Sequence, residues 1–465
     1  MKNSESFVAE TFKRALEKIL ARVFVFAHET DVRAMAVAYS GGLDSSALLQ
    51  LARDYAVEHG ITLYAFHIHH GLSPNADAWQ THCRETCARL DVNFDVRKVT
   101  LAKVDKNGIE ASARSARYAA LGELCRQHAV PLLLTAHHQD DQAETVLLQM
   151  LRGAGPAGLS GMDKMNNAPD LLGDDFLTVA RPLLSVNRFR LEAYAQSLGI
   201  SYVEDESNQN SHHPRNALRN EVLPLLGKHF PAFGECVSRS AQHAQSVQRM
   251  LTELAAQDLA VCAEGDALAV DHLKQLSGDR IDNLLRFWMA KRGLRMPSTA
   301  WLHEARMQLL GARADAQICV TYGDLALRRY RNKIMITPMM GEVEYIEPVV
   351  FRWTGEAHIP FPTWGGVLHF DQAESGIDET WLRQHSLRLQ QHAGGGRLKL
   401  AENRPNRSLK VHFQALGVPA WERERLPLVY AGKELLFAAG IGQDCRHPLV
   451  AGGICLRWLN DSGGI

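Results

Sequence analysis

No apolar run in this 465-residue chain approaches the roughly 20 residues that a membrane-spanning helix requires, so a membrane protein of helical type is not expected. An excess of either charge is also missing. The formal net charge is −1, so any affinity for nucleic acid must come from local patches and not from a global field. Cysteine is sparse, at eight residues, which argues against a disulfide framework, and no C-x-x-C occurs. Cys83 and Cys87 lie four apart, but without a second close pair they read as free thiols and not as a metal site. Internal repeats and low-complexity tracts are absent. The first residues intersperse Glu5, Glu10, Lys13 and Arg14, which suits an amphipathic helix and not a secretory signal, and a cytoplasmic location is expected. What remains, 46% hydrophobic and 22% charged over this length, is an ordinary globular composition in more than one domain.

Against this background one stretch stands out: Ala38-Tyr39-Ser40-Gly41-Gly42-Leu43-Asp44-Ser45-Ser46. Met35 to Ala38 suit a buried strand, and Ala47, Leu48, Leu49, Leu51 and Ala52 suit one face of a helix. The small residues between them let the backbone approach a ligand, and the helix start presents unpaired N–H groups that hold an anion. The Lys of the common phosphate loop is missing. The bland alternative is a plain strand-to-helix turn.

Strands and helices then alternate. Ile61–Ile68, Asn93–Val99 and Val130–Ala136 read as strands, and Asp77–Leu90, Ile109–His128 and Asp140–Arg152 as helices. This rhythm predicts an α/β fold with a doubly wound parallel sheet, whose ligands sit beyond the carboxyl ends of the strands. Three polar clusters fall at those ends: Ser40–Ser46, His67–Gly71 and Thr135–Glu144. His67 and His69 share a strand face, and pocket lining is preferred there to zinc ligation, since no cysteine or carboxylate completes a set. Asp141, Glu144 and Thr145 share a helix face, and carboxylates of this kind can hold the Mg²⁺ that bridges ATP phosphates. Helix capping by Asp140 or Asp141 is the competing explanation. Arg114 and Arg117, three apart on an Ala-rich helix, can receive phosphates or form a solvated stripe.

The motifs in order are the Ser40–Ser46 loop, His67-Ile68-His69-His70-Gly71-Leu72, Ala113-Arg114-Ser115-Ala116-Arg117-Tyr118, and His137-His138-Gln139-Asp140-Asp141-Gln142-Ala143-Glu144-Thr145. Leu151-Arg152-Gly153-Ala154-Gly155 with Gly158-Leu159, Arg181-Pro182-Leu183-Leu184, Glu204-Asp205-Glu206-Ser207-Asn208 and Arg215-Asn216-Ala217-Leu218-Arg219-Asn220 follow. The loop resembles the S-G-G-x-D-S pyrophosphate loop (PP-loop) of the N-type ATP pyrophosphatases, a Rossmann-like fold. The whole series resembles the tRNA(Ile)-lysidine synthetase family, closely over about the first 230 residues. One departure is Ser73, where an Arg often follows His-Gly-Leu.

The resemblance implies a cytoplasmic ligase acting with ATP and Mg²⁺ on free L-lysine and on the isoleucine tRNA with a CAU anticodon. The wobble cytidine is adenylated on its C2 oxygen with loss of pyrophosphate. The ε-amine of lysine then displaces AMP, and codon reading changes from AUG to AUA. Carried over residue by residue, Ser40, Gly41, Gly42, Leu43, Asp44 and Ser45 hold the nucleotide. Asp44, Asp141 and Glu144 hold Mg²⁺, and Asp44, His137, Asp141, Glu144, Arg114 and Arg117 serve catalysis. Which group accepts the lysine proton is left open, as is the oligomeric state, a homodimer included.

Beyond residue 230, Pro231 to Ala260 is strongly helical in pattern. Arg280 to Lys333 holds eleven Lys or Arg against four Asp or Glu, with Arg328-Arg329-Tyr330-Arg331-Asn332-Lys333 as a dense basic strand or turn. Arg397 to Arg425 holds seven basic against three acidic side chains. Basic residues interleaved with aromatics suit RNA, although such runs are often only solvated surface. The expected tRNA contacts are Arg215, Arg219, Arg328, Arg329, Arg404, Arg407, Lys410 and Arg423. The expected domains are 1–230 (catalytic), 231–340 (mainly helical, tRNA- or substrate-binding), 341–385 (β-rich connection) and 386–465 (small α+β tRNA-binding domain). The rivals are a tRNA thiolase on the same loop, an amidating synthetase of the NAD or GMP synthetase kind, and a non-catalytic RNA-binding protein. A thiolase would need reactive cysteines from among Cys83, Cys87 and Cys125.

Overall fold

The computed structural model describes residues 2–26, 34–69, 71, 73–99, 109–204, 214–313, 316, 318–339, 341, 345–392 and 395–460. His70, Leu72 and Asp205–Asn208, singled out above, lie outside them. The chain divides into two compact units, 1–252 and 253–465.

In the first unit, α1 (Lys2–Phe26) precedes β1 (Ala34–Ala38), α2 (Leu43–His59), β2 (Thr62–His69), α3 (Ala76–Leu90), β3 (Asn93–Lys98), α4 (Ile109–Gln127), β4 (Leu132–Leu134) and α5 (Gln139–Leu151). Short elements α6 (Pro156–Leu159), β5 (Met165–Asn167), α7 (Pro169–Leu172) and β6 (Thr178–Ala180) lead to α8 (Arg188–Ser197). The sheet order is β3-β2-β1-β4-β6-β5, with every pair parallel except β5–β6. Period-two alternation splits the strands between two cores. Met35, Val37, Leu63, Ala65, Leu132 and Leu134 pack under α1, α2, α3 and α8. Ala36, Phe66, Ile68, Leu133 and Val179 face Tyr118, Leu121 and Leu124 of α4 and Leu172 of α7. This is the doubly wound sheet expected. Strands β5 and β6 went unpredicted because three-residue strands carry too few apolar positions to show a period.

Past α8, the first unit continues through α9 (Pro214–Ala217), a π-helical turn at Leu218–Val222 and α10 (Leu223–His229). Helix α11 (Phe233–Cys262) runs on into the second unit. There β7 (Ala263–Glu264), β8 (Ala267–Ala269), α12 (Val270–Leu273), α13 (Gly278–Ala290), α14 (Thr299–Gly311), β9 (Ile318–Tyr322), β10 (Leu325–Tyr330) and β11 (Lys333–Pro338) follow. The strands form an antiparallel sheet, β7-β8-β11-β10-β9. Leu284, Leu285, Trp288 and Leu302 of the helices pack on Leu268, Val320, Leu327 and Ile334 of the sheet. The helices of 231–340 thus pack on a five-stranded antiparallel sheet that the sequence analysis did not separate from them.

The remainder comprises β12 (Val349–Phe351), β13 (His358–Phe361), β14 (Gly366–Ile377), α15 (Glu379–Gln384), β15 (Leu387–Gln390), β16 (Arg397–Leu398) and β17 (Arg407–Ser408). It ends with α16 (Leu409–Leu416), α17 (Ala420–Arg423), β18 (Leu428–Ala431), β19 (Glu434–Ala438), β20 (Gly442–Gln443), β21 (Leu449–Ala451) and β22 (Ile454–Asn460). Strand β14 pairs with β22 from Gly366↔Asn460 onward, and Trp353, Trp364 and Phe370 share a core with Leu436 and Trp458. Residues 341–385 are thus not a separate connection but part of the terminal domain. No described helix is long and apolar enough to cross a membrane.

Candidate active site

The site forms where β1, β2, β4 and β6 end. After Ala38 the chain turns through Ser40, Gly41 and Gly42 into α2. Gly41 has φ +85°, and a Cβ there would lie 2.8 Å from Cys83 Sγ, so the turn needs glycine on both counts. Ser45 Oγ donates to Gly42 O at 3.0 Å and lies 3.0 Å from Ser40 Oγ, and Ser46 Oγ donates to Gly41 O at 3.3 Å. The loop is therefore pre-shaped. Gly42 is the N-cap of α2 and supplies no side-chain cap, which leaves the first N–H groups open to an anion.

The histidine cluster at the end of β2 makes local contacts where described. His67, 5% exposed, is bonded through Nδ1 to Tyr39 O at 2.9 Å, next to the loop, and His69 Nε2 sits 3.1 Å from Asp77 Oδ1. Among the described residues no three His, Cys, Asp or Glu are grouped to hold a metal by themselves.

After β4, the N-cap of α5 is neither Asp140 nor Asp141 but His138, given no role in the sequence analysis. Its Nδ1 accepts from Asp140 N at 3.2 Å, and Asp141 Oδ2 accepts from His138 N at 3.0 Å, which closes a capping box. That cap leaves His138 Nε2 between Asp44 Oδ2 at 3.7 Å and Asp141 Oδ2 at 3.4 Å. The ring is 1% exposed. Burial disfavours its charge, but Asp44, Asp141 and Asp140 outweigh burial and raise its pKa. His137, hydrogen-bonded through Nδ1 to Thr135 Oγ1 at 2.9 Å, goes the other way. Burial, against Asp141 and with Arg181, Arg114 and Arg215, pushes it down to about 3, so the ring is neutral at ordinary pH.

Glu144 is fully buried, and two guanidiniums close on it. Arg215 Nε donates to it at 2.8 Å and Arg219 Nε at 2.6 Å, while Asp141 Oδ1 takes Arg215 Nη2 at 3.3 Å and Arg219 Nη2 at 3.0 Å. Two expected metal ligands and two expected tRNA contacts are thus one charge-balanced quartet. Of the three carboxylates expected to hold Mg²⁺, only Asp44 retains an oxygen, Oδ1, that is buried without a hydrogen-bond partner. An orphaned carboxylate oxygen at the loop fits Mg²⁺, which takes one or two carboxylates together with substrate phosphates. Beside the quartet lies a cavity of about 250 Å³, lined by His138, Asp140, Glu144, Arg188, Arg219 and Glu235 among others.

Arg114 and Arg117 stand over the Tyr118 ring at 4.9 and 5.8 Å from its centroid. Arg181, named above within a motif but given no role, follows β6 directly, a position that the strand-end rule would have marked had β6 been recognised. Cys83, Cys87 and Cys125 are buried thiols, each pushed up to about 12 by burial, so none is poised as a reactive thiolate.

In the second unit Arg329 corrects an expectation. It is 4% exposed and donates through Nη1 to Leu309 O and Ala312 O, both at 2.8 Å, so it ties the end of α14 and cannot reach RNA. Arg328 donates to Thr337 Oγ1 at 3.1 Å and lies over Trp421, and Arg423 donates to Val418 O at 2.8 Å and Tyr330 Oη at 3.2 Å. These two join the β-sheet of the middle domain to the terminal domain. Arg404, Arg407 and Lys410 are exposed.

Comparison with known proteins adds to this geometry. Residues 8–226 match the PP-loop domain family, 268–335 the TilS substrate binding domain and 387–458 the TilS substrate C-terminal domain. The tRNA(Ile)-lysidine synthase of Ralstonia nicotianae is 41% identical over 459 residues, covering 96% of this chain and 97% of that protein. The protein of the same name from Burkholderia pseudomallei is 40% identical over 440 residues, 88% of each chain. Among solved structures, the U34-tRNA thiolase NcsA from Methanococcus maripaludis covers 50% of this chain and 80% of its own at 16% identity, with a TM-score of 0.39. That likeness is too weak to bear on activity.

Proposed function

Because this chain belongs to the tRNA(Ile)-lysidine synthase family, we propose that its strand-end site carries out both steps of lysidine formation. It is a ligase that uses ATP. The cytidine C2 oxygen attacks the α-phosphorus of ATP and pyrophosphate leaves. The lysine ε-nitrogen then bonds to C2, the C2–O bond breaks, AMP departs with that oxygen, and the amine gives up its protons.

The observation that carries this reading is the meeting of the uncapped α2 start with Asp44, His138 and Asp141. Open amides and the loop Ser40–Ser45 receive the pyrophosphate. Asp44 Oδ1 would hold Mg²⁺, and His138 positions both carboxylates beside it. Held there, Mg²⁺ would supply positive charge against the leaving pyrophosphate. The cavity beside Glu144 suits free lysine. Asp140 and Glu235 suit its ammonium groups and Arg188 its carboxylate. A ring that stays neutral down to about pH 3 is too weak a base to take the lysine proton, so His137 acts as a hydrogen-bonding partner.

The test is incubation of the purified protein with ATP, lysine and isoleucine tRNA bearing CAU, followed by mass spectrometry of the tRNA. The expected result is the mass of one lysine less one water at the wobble cytidine, with release of AMP and pyrophosphate. Added sulfur, or no change, would refute the reading.

A further inference from the structure

The middle domain (268–335) and the terminal domain (387–458) are built on separate cores. The cluster around Leu284 and Trp288 has no residue in common with those around Leu436 and Trp458 and around Leu398 and Phe413. Domains that share no large apolar interface move relative to one another unless something else holds them. Here a small seam crosses between them. Arg328 of β10 lies over the Trp421 ring of α17, 5.1 Å from its centroid, and Tyr330 meets the same ring edge-on at 6.0 Å. Arg423 Nη2 donates to Tyr330 Oη at 3.2 Å, and Arg331, at the hairpin tip, donates to Gln414 O in α16. These contacts join residues 328–331 to residues 414–423.

The chemistry of the seam singles out one side chain. Arg328, Arg331 and Arg423 bring three guanidiniums together, and their hydrogen bonds go to neutral oxygens: Thr337 Oγ1, Gln414 O, Val418 O and Tyr330 Oη. Like charges oppose closure of the seam. An indole face is the best π partner for a cation, and its edge-to-face pairing with a phenol adds a second attraction. Trp421 supplies both at once, which an aliphatic side chain of similar bulk cannot.

The place of the seam matters as much. Arg407 lies in β17, Lys410 in the first turn of α16, and Gln414 near the far end of that helix. A clamp on Gln414 and Trp421 therefore fixes which way the exposed Arg404, Arg407 and Lys410 face relative to the middle domain. We propose that Trp421 is a positioning residue that clamps the terminal domain onto the β10–β11 hairpin, so that the two domains grip one tRNA as a single body. Two domains joined only by a loose tether would bind the same molecule more weakly, because the effective concentration of the second at its own contacts falls. The proposal rests on the chain acting on tRNA.

The test uses the full chain with Trp421→Leu, which keeps apolar bulk and removes the π face, and Trp421→Phe, which restores a π face. Amide hydrogen exchange without RNA is read over Arg328–Lys333 and Gln414–Arg423. Affinity is measured for unmodified isoleucine tRNA bearing CAU and, separately, for ATP. Trp421→Leu should speed exchange in both segments about fivefold. It should weaken tRNA binding about tenfold and leave ATP affinity unchanged. Trp421→Phe should return both readings to within about twofold of the native protein. Should Trp421→Leu not fold, Tyr330→Leu, acting from the hairpin side, should give the same pattern. Native tRNA affinity despite faster exchange would overturn the clamp, because the domains would then grip independently. Native exchange in the folded variants would overturn it too, and any affinity lost with it would make Trp421 an RNA contact. Faster exchange and weaker tRNA binding in variants of a protein that forms no lysidine would uphold the clamp and refute the function.

Discussion

Asp44 concentrates the chemistry at the scale of single residues. Its Oδ2 faces His138 and its Oδ1 is orphaned, so removing the charge removes both the partner of His138 and the oxygen offered to a cation. Asp44→Asn should lower tRNA adenylation by at least about 10²-fold, by comparison with loss of other preorganised electrostatic groups. Melting temperature should change little, because Asp44 lies at a strand end outside both cores. Pyrophosphate release under single-turnover conditions is the measurement. His137 makes a pH prediction. Its folded pKa, about 3, lies below the ordinary 6.5, so the unfolded chain binds this proton first. The corresponding stability is complete above pH 6.5 and is lost progressively as pH falls toward 3. His137→Gln should flatten the decline of urea-unfolding stability in that window relative to the native protein.

Among elements, α5 shows how capping and function share residues. The run His137–Thr145 was legible as functional from its charges, but not which residue capped the helix. That choice was made by side-chain rotation, since His138 reaches Asp140 N while Asp141 bends back to His138 N. The π-helical turn at Leu218–Val222 was equally hidden, yet it stands between α9 and α10 in the stretch that brings Arg215 and Arg219 onto Glu144. In the β10–β11 hairpin, Arg329 was misread as an RNA contact because basic runs look alike in one dimension, whichever way alternate residues point. Arg329→Gln should cost about 2 kcal/mol of stability through two unsatisfied helix-end carbonyls, while weakening tRNA binding little in protein that remains folded. Thermal denaturation and a tRNA binding isotherm measured together separate these effects.

For the whole molecule, the strand pairing of β14 with β22 decides how the terminal domain can be tested. A cut near residue 386 would leave β14 without its partner and expose Phe370 and Trp364, so truncation there removes a core and not merely a binding surface. Charge substitution is cleaner. Replacing Arg404, Arg407 and Lys410 together by Gln, all on exposed positions, should lower the salt slope of tRNA binding by about two to three and leave the fold intact. ATP affinity, a property of the first unit, should not move. An unchanged slope would mean that these residues are only a solvated face.

The order of motifs, the alternation of strands and helices and the glycine-bearing loop followed from the sequence alone, because each depends on neighbours within a few residues and on a period of two or 3.6. That sufficed for the sheet, for the strand ends where polar clusters gather and for the family. Only the tertiary structure paired Arg215 and Arg219 with Asp141 and Glu144, seated His138 between Asp44 and Asp141, buried Arg329, turned Arg181 onto Asn166 and joined 366–377 to 454–460. Those facts depend on residues tens of positions apart, and on which way a charged side chain turns once its backbone is placed. Local spacing carries no information on either, because a charge seeks whichever counter-charge or hydrogen bond the finished packing brings within a few ångströms.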